Sequence, residues 1–358
     1  MLVIILAILA VLIGVFGPKA TPEPWSDPDL GQAVEEGAAD ARHLWLLGTN
    51  DVLVRFNRQT GERSVVGRDV FDLQQDGDRL WAVSRAEGSS EVSFSDLKDP
   101  ERRPIKVNVE GDLVGLFATG GDRPGLLTNR QVMRPAGDGW RHDRLAAELK
   151  CGEFPASYGF VGASADGQVY LGCDVGEWGG GLQRIDPATG KAVVISQGSG
   201  EACGGLINPN CDPVVGVFPD SEQPNCMTVG TSLAHMSLRN GQILRVCGDT
   251  ITRVFSAPLP SFRPDYPQSW AFDGFVPTHD GWVAFSRRRY ARSRSGSVEM
   301  RPTPALKDWS GLRISDEQDG VLFVLESCCH GYVDHPTEFR VLAVPVEPSD
   351  PGPRLPAS

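Results

Sequence analysis

Leu44-Trp45-Leu46-Leu47-Gly48-Thr49, then Val52-Leu53-Val54-Arg55-Phe56, then Thr60-Gly61-Glu62, then Ser64-Val65-Val66 make one continuous unit. It reads as short strands rich in bulky and β-branched residues around a Thr-Gly turn. A second copy stands further along: Val169-Tyr170-Leu171-Gly172, Gly181-Leu182-Gln183-Arg184-Ile185-Asp186, Thr189-Gly190-Lys191 and Val193-Val194-Ile195. Both share an aromatic strand, a small-residue step, an apolar-x-Arg-apolar strand and a Thr-Gly hairpin.

Looser copies put a turn before an apolar pair at Asp78-Arg79-Leu80-Trp81, Gly125-Leu126-Leu127, Cys226-Met227-Thr228-Val229, Asp280-Gly281-Trp282-Val283 and Asp319-Gly320-Val321-Leu322-Phe323. Asp-Gly suits such hairpins because glycine tolerates positive φ. The anchors near 45, 81, 127, 170, 227, 282 and 323 are separated by 36, 46, 43, 57, 55 and 41 residues. A period of about 40 to 50 residues with four short strands per unit predicts a β-propeller. Seven anchors predict about seven four-stranded blades, with six or eight as alternatives. Only residues 143–150 read as helical, so a TIM barrel or doubly wound sheet is excluded. A pair of β-sandwiches is the runner-up and leaves the regular spacing unexplained.

The chain has 358 residues, 41% hydrophobic and 22% charged, an ordinary globular balance. Gly 41 and Pro 27 together make about a fifth of the chain, against about 12% usually, as expected of a fold with many turns. The net charge of −12 repels phosphate backbones, so no nucleic-acid partner is expected.

Leu2 to Phe16 holds only Leu, Val, Ile, Ala, Gly and Phe. As a helix it would span roughly 25 Å, between a signal-peptide core and a short membrane span. A basic stretch before it and a convincing cleavage site are both missing. The expectation is an N-terminal membrane anchor over residues 1–17, with a cleaved signal or a buried core segment as alternatives. Residues 18–40 read as a linker, 41–345 as the propeller and 346–358 as a Pro-rich tail. The favoured readings place the propeller outside the cytoplasm, periplasmic or at the cell surface, or secreted if the segment is cleaved.

The unit at 44–62 resembles the propeller repeats of bacterial sensor ectodomains, in which hydrophobic-Trp-hydrophobic-Gly-Thr precedes Gly-Leu-x-Arg-aromatic-Asp/Asn and Thr-Gly. Gly180-Gly181-Leu182-Gln183-Arg184-Ile185-Asp186-Pro187-Ala188-Thr189-Gly190-Lys191 is similar to repeats of quinoprotein-like and streptogramin-lyase-like propellers. The resemblance implies the fold. It carries over no catalytic residue, because propellers host many unrelated activities.

An even count of eight cysteines in an exported chain suggests disulfides. The strand reading suggests Cys226 with Cys247 across a hairpin that has Asn240-Gly241 in its loop. It suggests Cys203 with Cys211 within a Gly/Asn/Pro-rich insertion, and Cys151 with Cys173 between blades three and four. Cys328-Cys329 could close an adjacent-cysteine ring, a feature of some of the quinoprotein propellers resembled above, or each could pair elsewhere.

Two clusters are candidate ligand sites. Cys328-Cys329-His330-Gly331-Tyr332-Val333-Asp334-His335 brings imidazoles, a carboxylate and thiols together, although its spacing matches no standard zinc module. Ser286-Arg287-Arg288-Arg289-Tyr290-Ala291-Arg292-Ser293-Arg294-Ser295 is a basic run in an acidic protein. Read as a long loop, it would dock an acidic partner or lipid headgroups, with Tyr290 as a stacking anchor. The ligand candidates are therefore His330, Asp334, His335, Arg287, Arg288, Arg289 and Tyr290. No cofactor, metal site or catalytic residue is assigned. The expected function is an extracytoplasmic binding, scaffold or sensor-like module for a protein or envelope ligand. The alternative is a metal-dependent lyase or hydrolase using the 328–335 loop.

Overall fold

Every anchor in the repeat falls on the second strand of a four-stranded antiparallel sheet, and there are seven such sheets. The computed structural model describes residues 25–26, 28–31, 33–156, 159–198, 205–235, 238–260, 268–303, 310–315, 321–328 and 338–345. Blade 1 runs from inner strand Val34–Ala39 through His43–Gly48 and Leu53–Asn57 to outer strand Arg63–Gly67. Blades 2 to 6 begin with inner strands Val70–Asp76, Leu113–Phe117, Gly159–Ala163, Val214–Pro219 and Gly274–Thr278. Blade 7 combines Ser310–Ile314, Val321–Cys328 and Glu338–Pro345 with an outer strand from the other end of the chain, Trp25–Ser26.

The seven inner strands touch in order round the axis, and that of blade 7 touches that of blade 1, so the ring closes. The register at the closure is Trp25 opposite Phe339 and Ser26 opposite Glu338. At the same seam the Nε of Arg313 in blade 7 donates to the carbonyl oxygen of Glu35 in blade 1 at 2.9 Å.

Alternation along each strand turns one set of side chains toward each neighbouring blade. The core is accordingly divided into seven clusters, one per blade interface. Ala38, Trp45, Leu47, Val70, Leu73 and Leu80 fill the first, and Leu30, Leu46, Val54, Phe323 and Leu325 fill the closing one. The repeated third-strand arginine is structural. Arg134 meets Asp143 at 2.7 Å, Arg184 meets Asp249 at 2.9 Å and Arg245 meets Asp220 at 2.7 Å. Inner strands approach closely where glycine permits: a Cβ on Gly216 would lie 2.6 Å from the carbonyl oxygen of Phe275.

Four sequence expectations are corrected. Residues 143–150 are not helical: Gly139–Arg144 is the outer strand of blade 3, and Lys150–Cys151 pairs with Phe154–Pro155. The largely buried Asp143 is committed there to Arg134 and Arg141. The linker does not extend over 18–40, because Trp25–Ser26 and Val34–Ala39 are strands and Leu30 is fully buried between them. Asn240-Gly241 is not a turn; it lies within strand Leu238–Cys247, opposite Leu233 and Ser232. Glycine is needed at 241 for close approach instead, since a Cβ would sit 2.1 Å from the carbonyl oxygen of Trp270.

The fourth correction concerns the basic run. Residues 286–288 form a short connection, Arg289–Arg294 is a strand and Ser295 begins the next turn. Neighbouring blades cover both faces of this strand, so Tyr290, Ala291, Arg292 and Ser293 are all buried. Tyr290 stacks on Phe285 with ring centroids 5.9 Å apart, and Arg292 pairs with Asp280 at 3.2 Å. Tyr290 is therefore a core residue and no docking anchor.

Residues 1–17, the expected anchor, and 346–358, the expected tail, lie outside the described residues. Among those described, no helix is long and apolar enough to cross a membrane.

Candidate functional site

Four antiparallel strands per blade divide the connections between two faces. The upper face carries the links between blades and those between second and third strands, and the lower face carries the remaining turns. The upper face is the elaborated one. Segments 145–158, 196–213 and 256–273, which precede blades 4, 5 and 6, each contain a short extra hairpin. The disulfide Cys151–Cys173 fastens the first of them to the second strand of blade 4, and Cys211, in the second, is also disulfide-bonded. Phe154, Phe160 and Trp178 stand around this staple with 54%, 42% and 70% of their surfaces exposed. The disulfide Cys226–Cys247 closes blade 5 at the lower face.

At the upper face, charged residues of three blades lie within electrostatic reach of Asp273. Asp273 precedes the inner strand of blade 6. Its backbone N–H donates to the carbonyl of Phe285 at 2.7 Å, and its carboxylate accepts the backbone N–H of Arg287 at 3.2 Å. Desolvation in the mouth pushes the Asp273 carboxyl above its ordinary pKa, partly offset by the guanidinium groups of Arg287, Arg239 and Arg313. Arg239 comes from the long hairpin of blade 5, Arg287 from blade 6 and Arg313 from the inner strand of blade 7. Arg239, Arg288, Arg289 and Arg313 are exposed and Arg287 is half-buried. Arg313 also acts on Glu35 at the ring seam, whose carboxyl is raised first by burial, then by Asp51, against the pull of Arg313.

Further in, two carboxyls meet. Asp72 of blade 2 accepts backbone N–H groups from Leu73 at 2.8 Å and from Leu116 of blade 3 at 2.5 Å, and its side chain hydrogen-bonds to Glu36 of blade 1. A Glu36 oxygen in turn accepts the N–H of Leu73 at 3.0 Å. Burial dominates and raises Asp72 to about 6, because a pair of touching carboxyls surrounded by protein holds a proton. At the lower mouth a cavity of about 310 Å³ is lined by Gln74, Gln75, Phe218, Thr278 and His279. Among the described residues, no group of three or more His, Cys, Asp or Glu side chains is arranged to hold a metal ion.

The sequence candidates separate accordingly. Arg287, Arg288 and Arg289 are brought to the upper face, and Tyr290 is buried. His330, Asp334, His335, Cys329 and Cys203 lie outside the described residues, and Cys328 ends a strand whose side chain there is not described. The strands Val321–Cys328 and Glu338–Pro345 of blade 7 pair with Cys328 opposite Glu338. Of the basic run, residues 286–288 form the second-to-third-strand connection of blade 6. Asp273, Arg239, Arg313, Glu36 and Asp72 were missed by sequence reading. For all but Arg239, which opens a third strand, the available signal was charge placed at or beside inner strands that are otherwise apolar or glycine-rich.

No protein-family model matches the chain, and no curated protein matches it in sequence. Solved structures do match in fold. Catalytically inactive virginiamycin B lyase from Staphylococcus aureus, crystallised with quinupristin, aligns at TM-score 0.53 and 12% identity over 89% of this chain and 98% of that one. YCF48 bound to a D1 peptide aligns at TM-score 0.51 and 12% identity over 89% of this chain and 94% of that one. At that level of identity the likeness is one of fold: this chain is a seven-bladed β-propeller similar in architecture to both.

Proposed function

We propose that this protein is an exported, membrane-tethered propeller whose upper face binds an acidic protein partner. The observation that carries the reading is the set of arginines on the upper face: Arg239 in the second-to-third-strand hairpin of blade 5, Arg287 and Arg288 in that connection of blade 6, and exposed Arg289 opening the strand that follows, in a chain whose net charge is −12. Concentrating cations on one face of an anionic molecule orients an acidic partner and excludes others. Disulfides Cys151–Cys173 and Cys226–Cys247 support an oxidising compartment. A propeller of this architecture solved with a bound peptide supports peptide recognition as a use of the scaffold.

Charge reversal tests the reading. Arg287→Glu with Arg288→Glu is expected to weaken binding of a fluorescein-labelled octaglutamate peptide at least tenfold at low salt, read by anisotropy, with the melting temperature unchanged. Unchanged binding overturns it. The competing enzyme reading rests on the 329–337 connection. His330→Ala with His335→Ala is expected to leave octaglutamate binding intact, and loss of a stoichiometric bound metal in that variant would favour the enzyme instead.

A further inference from the structure

The lower mouth of the axial channel differs in chemistry from the arginine-bearing upper face. Its cavity of about 310 Å³ falls at the small end of ligand pockets, which run from roughly 300 to 1,000 Å³. Five consecutive blades build the wall: the lower ends of the inner strands of blades 2, 4, 5 and 6, with Ala118 just past that of blade 3. Each inner strand is the edge of its sheet nearest the axis, so the wall offers backbone N–H and C=O groups as well as side chains.

The side chains are held in place before any ligand arrives. Gln74 donates through Nε2 to the carbonyl of Gln75 at 2.7 Å, and Gln75 donates through Nε2 to the carbonyl of Gly77 at 2.5 Å. Tying each amide nitrogen to the backbone leaves each amide oxygen to serve as an acceptor. The Phe218 ring is almost fully buried and is pinned against Phe275 with ring centroids 4.7 Å apart. Pro219 and Pro277 give the rim rigid C–H faces. Among the described residues, no Asp, Glu, Lys or Arg lines the cavity. The acids that follow the walls of blades 5 and 6 are committed, Asp220 to Arg245 at 2.7 Å and Asp280 to Arg292 at 3.2 Å. A charged ligand would give up its hydration to walls that hold, apart from the His279 imidazole, only neutral groups.

We propose that the lower mouth is a binding site for a small, uncharged, polyhydroxylated molecule of monosaccharide size. Its hydroxyl groups donate to the amide oxygens of Gln74 and Gln75, and its C–H face packs against Phe218 and the two prolines. A purely apolar occupant would leave those amide oxygens without donors, which costs affinity. The site uses no residue of the upper face and stands independently of the reading given to that face.

The test uses the full chain with four neutral probes: D-glucose, D-galactose, D-mannose and N-acetyl-D-glucosamine. Binding is followed by NMR through the imidazole C–H resonances, with that of exposed His279 identified by its loss in His279→Gln. At least one probe is expected to shift the His279 resonance saturably. Ala118→Trp fills the cavity, and Gln75→Leu removes an acceptor at nearly constant size. Each is expected to weaken binding of that probe by about tenfold or more, with melting temperatures showing which variants fold as the wild type does. Arg287→Glu with Arg288→Glu, on the opposite face, is expected to leave it unchanged. Cyclohexanol, a ring with a single hydroxyl, is expected to bind more weakly than that sugar. The site is overturned if none of the four sugars shifts the His279 resonance in wild type, or if a cavity variant that melts with the wild type binds the sugar equally well. Tighter binding of cyclohexanol than of every sugar overturns the polyhydroxylated class of ligand.

Discussion

Asp72 has both carboxyl oxygens engaged by backbone N–H groups and hydrogen-bonds to Glu36, so the two buried carboxyls share one proton. Glu36 can donate it to Asp72 from one oxygen while the other accepts the Leu73 N–H. The folded pair holds its proton up to about pH 6, whereas an unfolded aspartate releases it near 4. Between those values the native state binds more protons than the unfolded one, so stability falls as pH rises through that window, by at most about 2 to 3 kcal/mol. Glu35 and Asp212, also raised chiefly by burial, act in the same sense. Asp186, lowered chiefly by its hydrogen bond from Thr189, loses its contribution only below about pH 4. Glu36→Gln preserves every hydrogen bond of the pair and removes the titration. It is expected to raise the melting temperature at pH 7.5, match wild type near pH 4.5 and flatten the profile between; equal destabilisation at every pH would refute the shared proton. None of this was legible in the sequence. Val34-Glu35-Glu36-Gly37 and Phe71-Asp72-Leu73 look like ordinary alternating strands until a channel turns their polar faces toward one another. Arg287 was legible because it sits in a run of like residues, whereas Arg239 and Arg313 are single charges that only the ring brings beside it.

The elements were most readable where one residue type had one task. Trp45, Trp81 and Tyr170 are almost fully buried on second strands, each stabilising a blade interface by roughly 1.5 to 3 kcal/mol, and the repeat was found through them. Errors came where one pattern serves two purposes. Asn-Gly marks a hairpin turn in most strand pairs, yet Gly241 is a close-packing position in a hairpin that continues beyond it. Arginine-rich 289–294 looks like a loop, yet a strand can bury Arg292 when Asp280 neutralises it. The Cys151–Cys173 pairing was legible because the two cysteines flank a predicted blade junction. Cys151 lies on the small hairpin and Cys173 inside blade 4, both buried, and Gln183 donates to the carbonyl of Lys150 at 2.6 Å beside them. Closing a loop of 22 residues constrains the unfolded chain by about 3 kcal/mol. Cys151→Ala with Cys173→Ala is therefore expected to cost about 2 to 4 kcal/mol in urea unfolding. It is also expected to make backbone amides of 150–155 exchange faster, with the outer strands of blades 1 and 2 unaffected. Unaltered exchange in the hairpin would show that side-chain packing, and not the staple, fixes the upper face there.

A ring of blades has no free end only if something joins the last to the first. Here three features act at that seam: the Trp25–Ser26 strand on blade 7, the bond from Arg313 to the carbonyl of Glu35, and Leu30, wholly buried in the cluster shared by blades 7 and 1. The sequence period revealed the number of blades and not the closure, because a strand of two residues carries no period and Leu30 stands alone among prolines and acids. Each blade otherwise buries two faces against neighbours, so opening the seam exposes both faces of that interface at once and deprives blade 7 of its outer strand. The charged upper mouth spans blades 5 to 7 and rests, through Arg313, on the same seam, which makes closure a condition for the site as well as for the fold. A chain starting at residue 23 retains all three features and is expected to melt as the full protein does. A chain starting at residue 33 loses the closing strand and Leu30; removing a buried leucine alone costs about 2 to 5 kcal/mol. The shorter chain is expected to melt several degrees lower, over a broader transition, and to bind octaglutamate more weakly although every arginine is present. Calorimetry and anisotropy on the two chains check this together, and identical behaviour would mean that the inner strands alone hold the ring and its mouth in place.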